Sequence, residues 1–195
     1  MSAKGVIEPD FLIKAYRMGI FPMALDDGEI AWFSPDPRGV IPLEEFHVPH
    51  GLKRSLREGR FEVRMDTAFG EVILGCADRS ETWIGDEVVK SYRELHEVGY
   101  AHSVEAWREG KLAGGLYGVA IGGAFFGESM FSYETDASKV ALVALVHHLL
   151  ESGFTLLDTQ WSNRHLEQFG CVEIPREEYM KQLEEALLLD VEFAG

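Results

Sequence analysis

Between His102 and Ser132 apolar positions recur with a period of two, in three runs: His102–Trp107, Leu112–Val119 and Ala124–Ser132. Two breaks separate them, Arg108-Glu109-Gly110-Lys111 and Ala120-Ile121-Gly122-Gly123. Alternation places successive side chains on opposite faces of a pleated strand, so this stretch predicts an antiparallel meander. On either side the period lengthens. Phe69, Val72, Ile73 and Cys76 predict a helix over Asp66–Cys76, and Val88, Val89, Tyr92 and Leu95 predict one over Glu87–Val98, with Gly99 as its stop. Ala137–Ser152 is apolar almost all round and predicts a buried helix, with Asp136 as N-cap and Gly153 as stop. Weaker patterns predict helices over Phe11–Met18, Asn163–Phe169 and Pro175–Leu188, and an internal strand over Phe154–Asp158. Phe21–Pro49 is rich in Pro, Gly and acids. It predicts a loop-dominated arm, held against the domain because Trp32 and Phe33 need burial.

Helices, meander, central helix and a further strand, in that order, predict an α+β domain with a mixed, largely antiparallel sheet flanked by helices. The order resembles the acyltransferase fold of the GNAT superfamily. Its coenzyme A enzymes carry a (Gln/Arg)-x-x-Gly-x-(Gly/Ala) turn before the central helix. Here that junction reads Ser132-Tyr133-Glu134-Thr135-Asp136-Ala137-Ser138-Lys139, without glycine. Backbone amides approach a pyrophosphate less closely around residues bearing a Cβ. The expected acyl donor is therefore something other than coenzyme A, and no cofactor is expected.

A chain of 195 residues and 21.9 kDa can bury a full core. No apolar run approaches the roughly 20 residues of a membrane-spanning helix, and the N-terminal stretch lacks an apolar signal core. Both observations predict a cytoplasmic protein without a membrane partner. Cys76 and Cys171 stand alone in the sequence and are expected as reduced, buried thiols. The formal net charge of -15 argues against broad wrapping of nucleic acid. It leaves room for a local basic patch at Lys53, Arg54, Arg57, Arg60 and Arg64, which reads equally as a solvated helix face.

Asp158-x-Gln160 is the sharpest chemical signal. Residues two apart on a strand face the same side, so a carboxylate and a carboxamide can converge on one site. They could orient a nucleophile and manage its proton; the plainer reading of Asp158 is a turn cap. Glu128, in Gly127-Glu128-Ser129-Met130-Phe131, sits between apolar neighbours, where a half-buried carboxyl could bind a substrate ammonium group or have its pKa raised enough for proton transfer. The alternative is an internal partner for Lys139 or Arg164. Leu116, Phe125, Leu145, Leu149 and Leu157 could line a pocket for an apolar group, or simply fill the core. His47, His50, His147 and His148 lack metal-ligand spacing, and no Gly-x-Ser-x-Gly elbow points to a serine hydrolase.

Several segments together carry a resemblance: AYRMGIFP (Ala15–Pro22), WFSPDPRGV (Trp32–Val40), TWI (Thr82–Ile84), SYRELHEVGYAHSVEAW (Ser91–Trp107), GGLYGVAIGGAFFGESMFS (Gly114–Ser132), ASKVAL (Ala137–Leu142) and LLDTQ (Leu156–Gln160). In this order they resemble the bacterial leucyl/phenylalanyl-tRNA–protein transferases, over nearly the whole chain. Members join leucine or phenylalanine, less readily methionine, from aminoacyl-tRNA to the N-terminal Arg or Lys of a protein, which marks it for degradation. Their catalytic domain is GNAT-like.

The resemblance implies roles by position. Asp158 and Gln160 match the pair that activates the incoming α-amine, and Glu128 an acid beside the aminoacyl group. Leu116, Phe125, Ser129, Leu145 and Leu157 match the lining of the side-chain pocket. Trp83 matches the aromatic residue on the terminal adenosine, and Lys53, Arg54 and Arg57 the cluster that holds the acceptor stem. The resemblance also implies a reduced N-terminal segment over residues 1–35, before an aminoacyl-transfer domain over 36–195. Phe21-Pro22-Met23 stands where the family reads Phe-Pro-Trp, and a thioether does not stack on adenine as indole does. The chain is expected to act as a monomer.

Overall fold

The computed structural model describes residues 5–25, 27–78, 82 and 84–193. Helix α1 (Pro9–Arg17) leads into a hairpin of β1 (Phe21–Ala24) and β2 (Ile30–Phe33), and then into β3 (Arg38–Ile41). After a single 3-10 turn at Leu43–Glu45 come α2 (Leu52–Arg57), β4 (Glu62–Met65), α3 (Phe69–Ala77) and α4 (Asp86–Glu97). The meander follows as β5 (Ala101–Arg108), β6 (Lys111–Ile121) and β7 (Ala124–Ser132). Helix α5 (Ala137–Glu151) crosses to β8 (Leu156–Gln160), and α6 (Arg164–Glu167), β9 (Val172–Ile174) and α7 (Arg176–Leu187) complete the chain. Among the described residues no helix is long and apolar enough to cross a membrane.

The main sheet runs β4-β5-β6-β7-β8-β3-β9. Every neighbouring pair is antiparallel except β7 and β8, which the α5 crossover makes parallel. Strand alternation divides the core in two. Tyr117, Phe126, Leu156 and Val40 face one side, under α1, α3, α4 and α7. Leu116, Phe125, Leu157 and Ile41 face the other, under α5. This order, with one parallel pair after the central helix, is the mixed, largely antiparallel α+β sheet expected from the sequence.

Two irregularities shape the site. β7 and β8 pair only from Ala124–Leu156 to Phe126–Asp158, and beyond that they diverge. In the same region Gly118 pairs with Gly127 but Tyr117 pairs with Ser129, so Glu128 is the extra residue of a β-bulge. Gly118 has to be glycine for a packing reason, since a Cβ there would lie 2.3 Å from the Phe126 carbonyl oxygen.

The arm over Phe21–Pro49 is more regular than its composition suggested. It contributes a hairpin and an inner strand of the main sheet, β3, whose four residues are all buried. The pattern concealed this because β3 is buried on both faces, does not alternate, and includes Arg38 and Gly39. The short strands β4 and β9 escaped notice for a related reason: each is an edge strand with few buried residues. Asp136 occupies the cap position of α5 but makes no side-chain cap bond. Its carboxylate instead accepts from Ser55 Oγ at 2.8 Å and from Lys139 Nζ at 3.2 Å. Cys76 and Cys171 are both buried.

Candidate active site

Where β7 and β8 part, they open a cavity of about 920 Å³. One wall is apolar: Leu116, Met130, Leu142, Leu145, Leu157 and Leu166, with Ser129 among them. The other carries Glu128 and Gln160; the lining also includes the buried Phe21, the half-buried Met23 and the exposed Tyr133 and Trp161.

Glu128 is held by groups from three distant segments. Tyr16 Oη donates to its Oε1 at 2.7 Å, Tyr92 Oη to its Oε2 at 3.2 Å, and Gln160 Nε2 to Oε1 at 3.4 Å. The two phenol oxygens also hydrogen-bond each other. Burial outweighs these donors, and with the nearby Asp158 charge it pushes the Glu128 carboxyl up to about 8. Burial and the Glu128 charge in turn hold both phenols well above their ordinary value, so they remain neutral donors.

Asp158, whose charge acts on Glu128, is fully buried. Its Oδ1 accepts from Arg38 Nε at 2.9 Å and from the Gln160 backbone N–H at 2.8 Å. Its Oδ2 accepts from an Arg38 terminal nitrogen at 2.6 Å and from Tyr179 Oη at 2.8 Å. Burial alone would lower the pKa of Arg38, but Asp158 more than reverses that and the guanidinium stays charged. Arg38 also donates to the Gly19 carbonyl at 2.8 Å and lies over the Tyr179 ring, 4.3 Å from its centroid. Gln160 ends β8 with φ of 60°, a conformation non-glycine residues adopt sparingly, and the Asp158 carboxylate accepts the backbone N–H of that turn.

The structure thus brings Glu128, Asp158 and Gln160 together, and sets Leu116, Ser129, Leu145 and Leu157 on the cavity wall. Phe125 differs. It is wholly buried beneath the wall, stacked on Phe193 with centroids 5.3 Å apart, because its strand position points into the α5 layer below the opening. Neither Lys139 nor Arg164 pairs with Glu128; Lys139 is taken by Asp136. Trp83 lies outside the described residues. The basic cluster does not reach the cavity. Arg54 and Arg60 pair with Glu58, and Arg64 with Glu62, whereas Lys53 and Arg57 are exposed without an ion pair among the described residues.

Sequence reasoning gave no role to Tyr16, Arg38, Tyr92 or Tyr179. A signal for the tyrosines was present: each lies on the apolar face of an amphipathic helix, where a buried hydroxyl needs a partner. Missed too was His165 on the cavity wall. Burial, then Lys139, lowers its pKa, and its buried Nε2 has no hydrogen-bond partner among the described residues.

An opened parallel pair, an apolar wall and a buried carboxyl raised to about 8 suit the chemistry of acyl transfer. The chain belongs to the leucyl/phenylalanyl-tRNA–protein transferase family. The family model "Leucyl/phenylalanyl-tRNA protein transferase" matches residues 40–184, and that of its N-terminal domain matches residues 5–36. A leucyl/phenylalanyl-tRNA–protein transferase from Salinibacter ruber is 56% identical, over 93% of this chain and 80% of that protein. One from Rubrobacter xylanophilus is 54% identical, over 96% of this chain and 99% of that protein. Among solved structures, L-PGS from Bacillus licheniformis aligns with a TM-score of 0.44 at 14% identity, covering 82% of this chain and 53% of that one.

Proposed function

We propose that this chain transfers leucine or phenylalanine, less readily methionine, from aminoacyl-tRNA to the N-terminal Arg or Lys of an acceptor protein, marking it for degradation. It would do so as a cytoplasmic monomer. The observation that carries this reading is the single cavity in which an apolar wall faces the Glu128–Gln160 pair. Leucine or phenylalanine enters the Leu116–Leu145–Leu157 side. The ester carbonyl is then left beside Glu128 and Gln160.

The acceptor nitrogen attacks that carbonyl. A C–N bond forms, the bond to the ribose 3′-oxygen breaks, and one proton passes from nitrogen to that oxygen. With its amide nitrogen on Glu128, Gln160 offers its carbonyl oxygen to an N–H of the amine. Glu128, with a pKa near 8, takes the proton as carboxylate and returns it as acid to the leaving oxygen. Asp158 has no free oxygen for this work. It is a positioning residue that fixes the Gln160 backbone through the 2.8 Å bond and is itself fixed by Arg38. Trp83 would pack on the terminal adenosine, and Lys53, Arg54 and Arg57 would hold the acceptor stem outside the acyl cavity.

A coenzyme A-dependent reading is disfavoured by the start of α5. There the Ala137 N–H donates to the Glu134 carbonyl at 3.2 Å and the Ser138 N–H to Ser132 Oγ at 2.9 Å, so both amides are engaged by the chain itself. The decisive experiment mixes the protein with phenylalanyl-tRNA and a peptide beginning with Arg. Mass spectrometry should find the peptide extended by phenylalanine at its N-terminus. An unextended peptide beside intact phenylalanyl-tRNA overturns the reading.

A further inference from the structure

We infer that Phe193, which lies outside the cavity, sets the depth available to the donor side chain by holding Phe125 in place; this rests on the aminoacyl-transfer reading above. Phe125 shares its register with the wall residue Leu157 across the β7–β8 pair, where strands lie about 4.8 Å apart, and both side chains point to the α5 side. The Phe125 ring rests on Gly118, where a Cβ would come within 2.7 Å of Phe125 Cζ. Gly118 is two residues, about 7 Å, along β6 from a second wall residue, Leu116. Phe125 is thus a close neighbour of two wall residues, although it is wholly buried and does not itself line the cavity.

Phe193 stacks on Phe125 with centroids 5.3 Å apart and planes 29° apart. It is itself held from several sides. His102 of β5 stacks on its ring at 4.4 Å, while His148 of α5 and Phe154 meet it edge-on at 4.6 and 6.4 Å. Its carbonyl accepts from His148 Nε2 at 2.6 Å. With β5, β7, α5 and the turn before β8 all contributing, the ring closes the end of the core under α5, and almost none of it meets solvent.

A close-packed interior transmits the loss of a ring to its neighbours, which move part of the way into the void. Removing the Phe193 ring frees space against Phe125, and the wall beside Leu116 and Leu157 gains room to give way. A long donor side chain then finds extra depth, and a short one loses contact. Leu149 is buried off the cavity too, but it is built into α5, so trimming it also disturbs the helix that carries Leu142 and Leu145. Phe193 follows α7 in a stretch without helix or strand, so its side chain can be exchanged without altering a strand or helix. It is a positioning residue for donor choice, acting at one remove.

The test gives the adenosine esters of leucine, phenylalanine and 4-methylphenylalanine, with one Arg peptide, to wild type and to Phe193→Ala. One methylene in an apolar pocket discriminates by about tenfold or more. Phe193→Ala should therefore raise kcat/KM for 4-methylphenylalanine relative to leucine by about fivefold or more, with phenylalanine between them. The shift should lie in the KM of the donors, leaving the KM of the peptide unchanged. A proportional loss for all three donors, as a purely structural role would give, overturns the inference. The same substitution added to Phe125→Leu should move the ratio by less than about twofold, since the residue it acts through is already gone; a full shift there also overturns it. If Phe193→Ala fails to fold, Phe193→Leu decides: its ratio should move the same way by about twofold, and an unchanged ratio refutes the inference. Should wild type transfer from neither these esters nor phenylalanyl-tRNA, the functional reading itself fails, an outcome distinct from active transfer with a constant donor ratio.

Discussion

On one face of the splayed strands Tyr16, Arg38, Tyr92, Glu128, Asp158, Gln160 and Tyr179 are joined by hydrogen bonds inside the protein. On the other, Leu116, Leu142, Leu145 and Leu157 form an apolar wall. The two halves of one cavity thus obey different energetics. Each leucine contributes by burial, roughly 1.5–3 kcal/mol, and trimming one leaves the others much as they were. The polar side is interdependent, because removing one member leaves its partners buried and unsatisfied. Tolerance should therefore be high on the apolar wall, the proposed seat of donor choice, and low on the polar one, the proposed place of the reacting groups.

The largest effect should come from Asp158→Asn, which keeps the shape and removes the charge facing Arg38. Breaking a fully buried pair from one side costs about 3–5 kcal/mol. Leu157→Ala, one residue away on the opposite face, should cost about 2–3 kcal/mol, at the low end for buried leucines because the cavity already adjoins it. Urea unfolding of both variants compares the faces directly. A smaller loss for Asp158→Asn than for Leu157→Ala would end the distinction.

Glu128→Gln separates chemistry from placement within the polar side. Single-turnover transfer should fall by about 10²–10⁴, while aminoacyl-tRNA binding changes little. Stability should move the other way with pH. The folded carboxyl is raised from 4.5 to about 8, so the folded state keeps a proton that the unfolded chain releases. Its stabilising contribution is full below about pH 4.5 and lost as the pH climbs to 8. Glutamine does not titrate, so the Tm of the variant relative to wild type should rise from pH 5 to pH 8. A constant difference would show that Glu128 ionises normally in the fold.

The same division explains what could be read from the sequence. Period-two and helical spacings reported the meander, α3, α4 and α5, and with them Leu116 and Leu145 of the apolar wall; Leu149, read the same way, is buried and is not on the cavity lining. Asp158 and Gln160 were legible because two residues on one strand must share a face. The polar network was not, for its bonds join residues far apart in the chain: Tyr16 to Glu128 spans 112 positions and Arg38 to Asp158 spans 120. No window contains both ends. Arg38 additionally hid β3, because a charge in a short run argues for a loop until its partner is known. Phe125 erred in the opposite direction: periodicity gave its face correctly but not its depth, which Phe193, near the other end of the chain, decides.

A moderate effect is expected on the apolar wall itself. Leu145→Ala should lower kcat/KM for leucyl-tRNA about tenfold, the worth of roughly 1.4 kcal/mol of lost contact. Phenylalanyl-tRNA should suffer less, because its longer ring reaches into the space released. Valyl- and glutamyl-tRNA should remain poor donors in both proteins, the first for its branch near the reacting carbonyl and the second for an unpaired charge in an apolar wall. Competition among the four donors with one Arg peptide measures the ranking. Efficient use of glutamyl-tRNA by wild type would show that the wall does not select by apolar burial.

The smallest effect should appear outside the cavity, at α2. Lys53 and Arg57 are exposed without an ion pair among the described residues, whereas Arg54 is already engaged by Glu58 at 2.7 Å. A cation that gains a phosphate without giving up a carboxylate contributes more to the release of counterions. Lys53→Ala and Arg57→Ala should each weaken full aminoacyl-tRNA binding by a few-fold and reduce its log–log salt slope by about one; Arg54→Ala should do less. Phenylalanyl-adenosine lacks the stem phosphates, so its kcat/KM should not change in any of the three. Parallel losses with both donors would place α2 at the aminoacyl end, and the separation between a cavity that reads the acyl group and a surface that reads the tRNA would have to be abandoned.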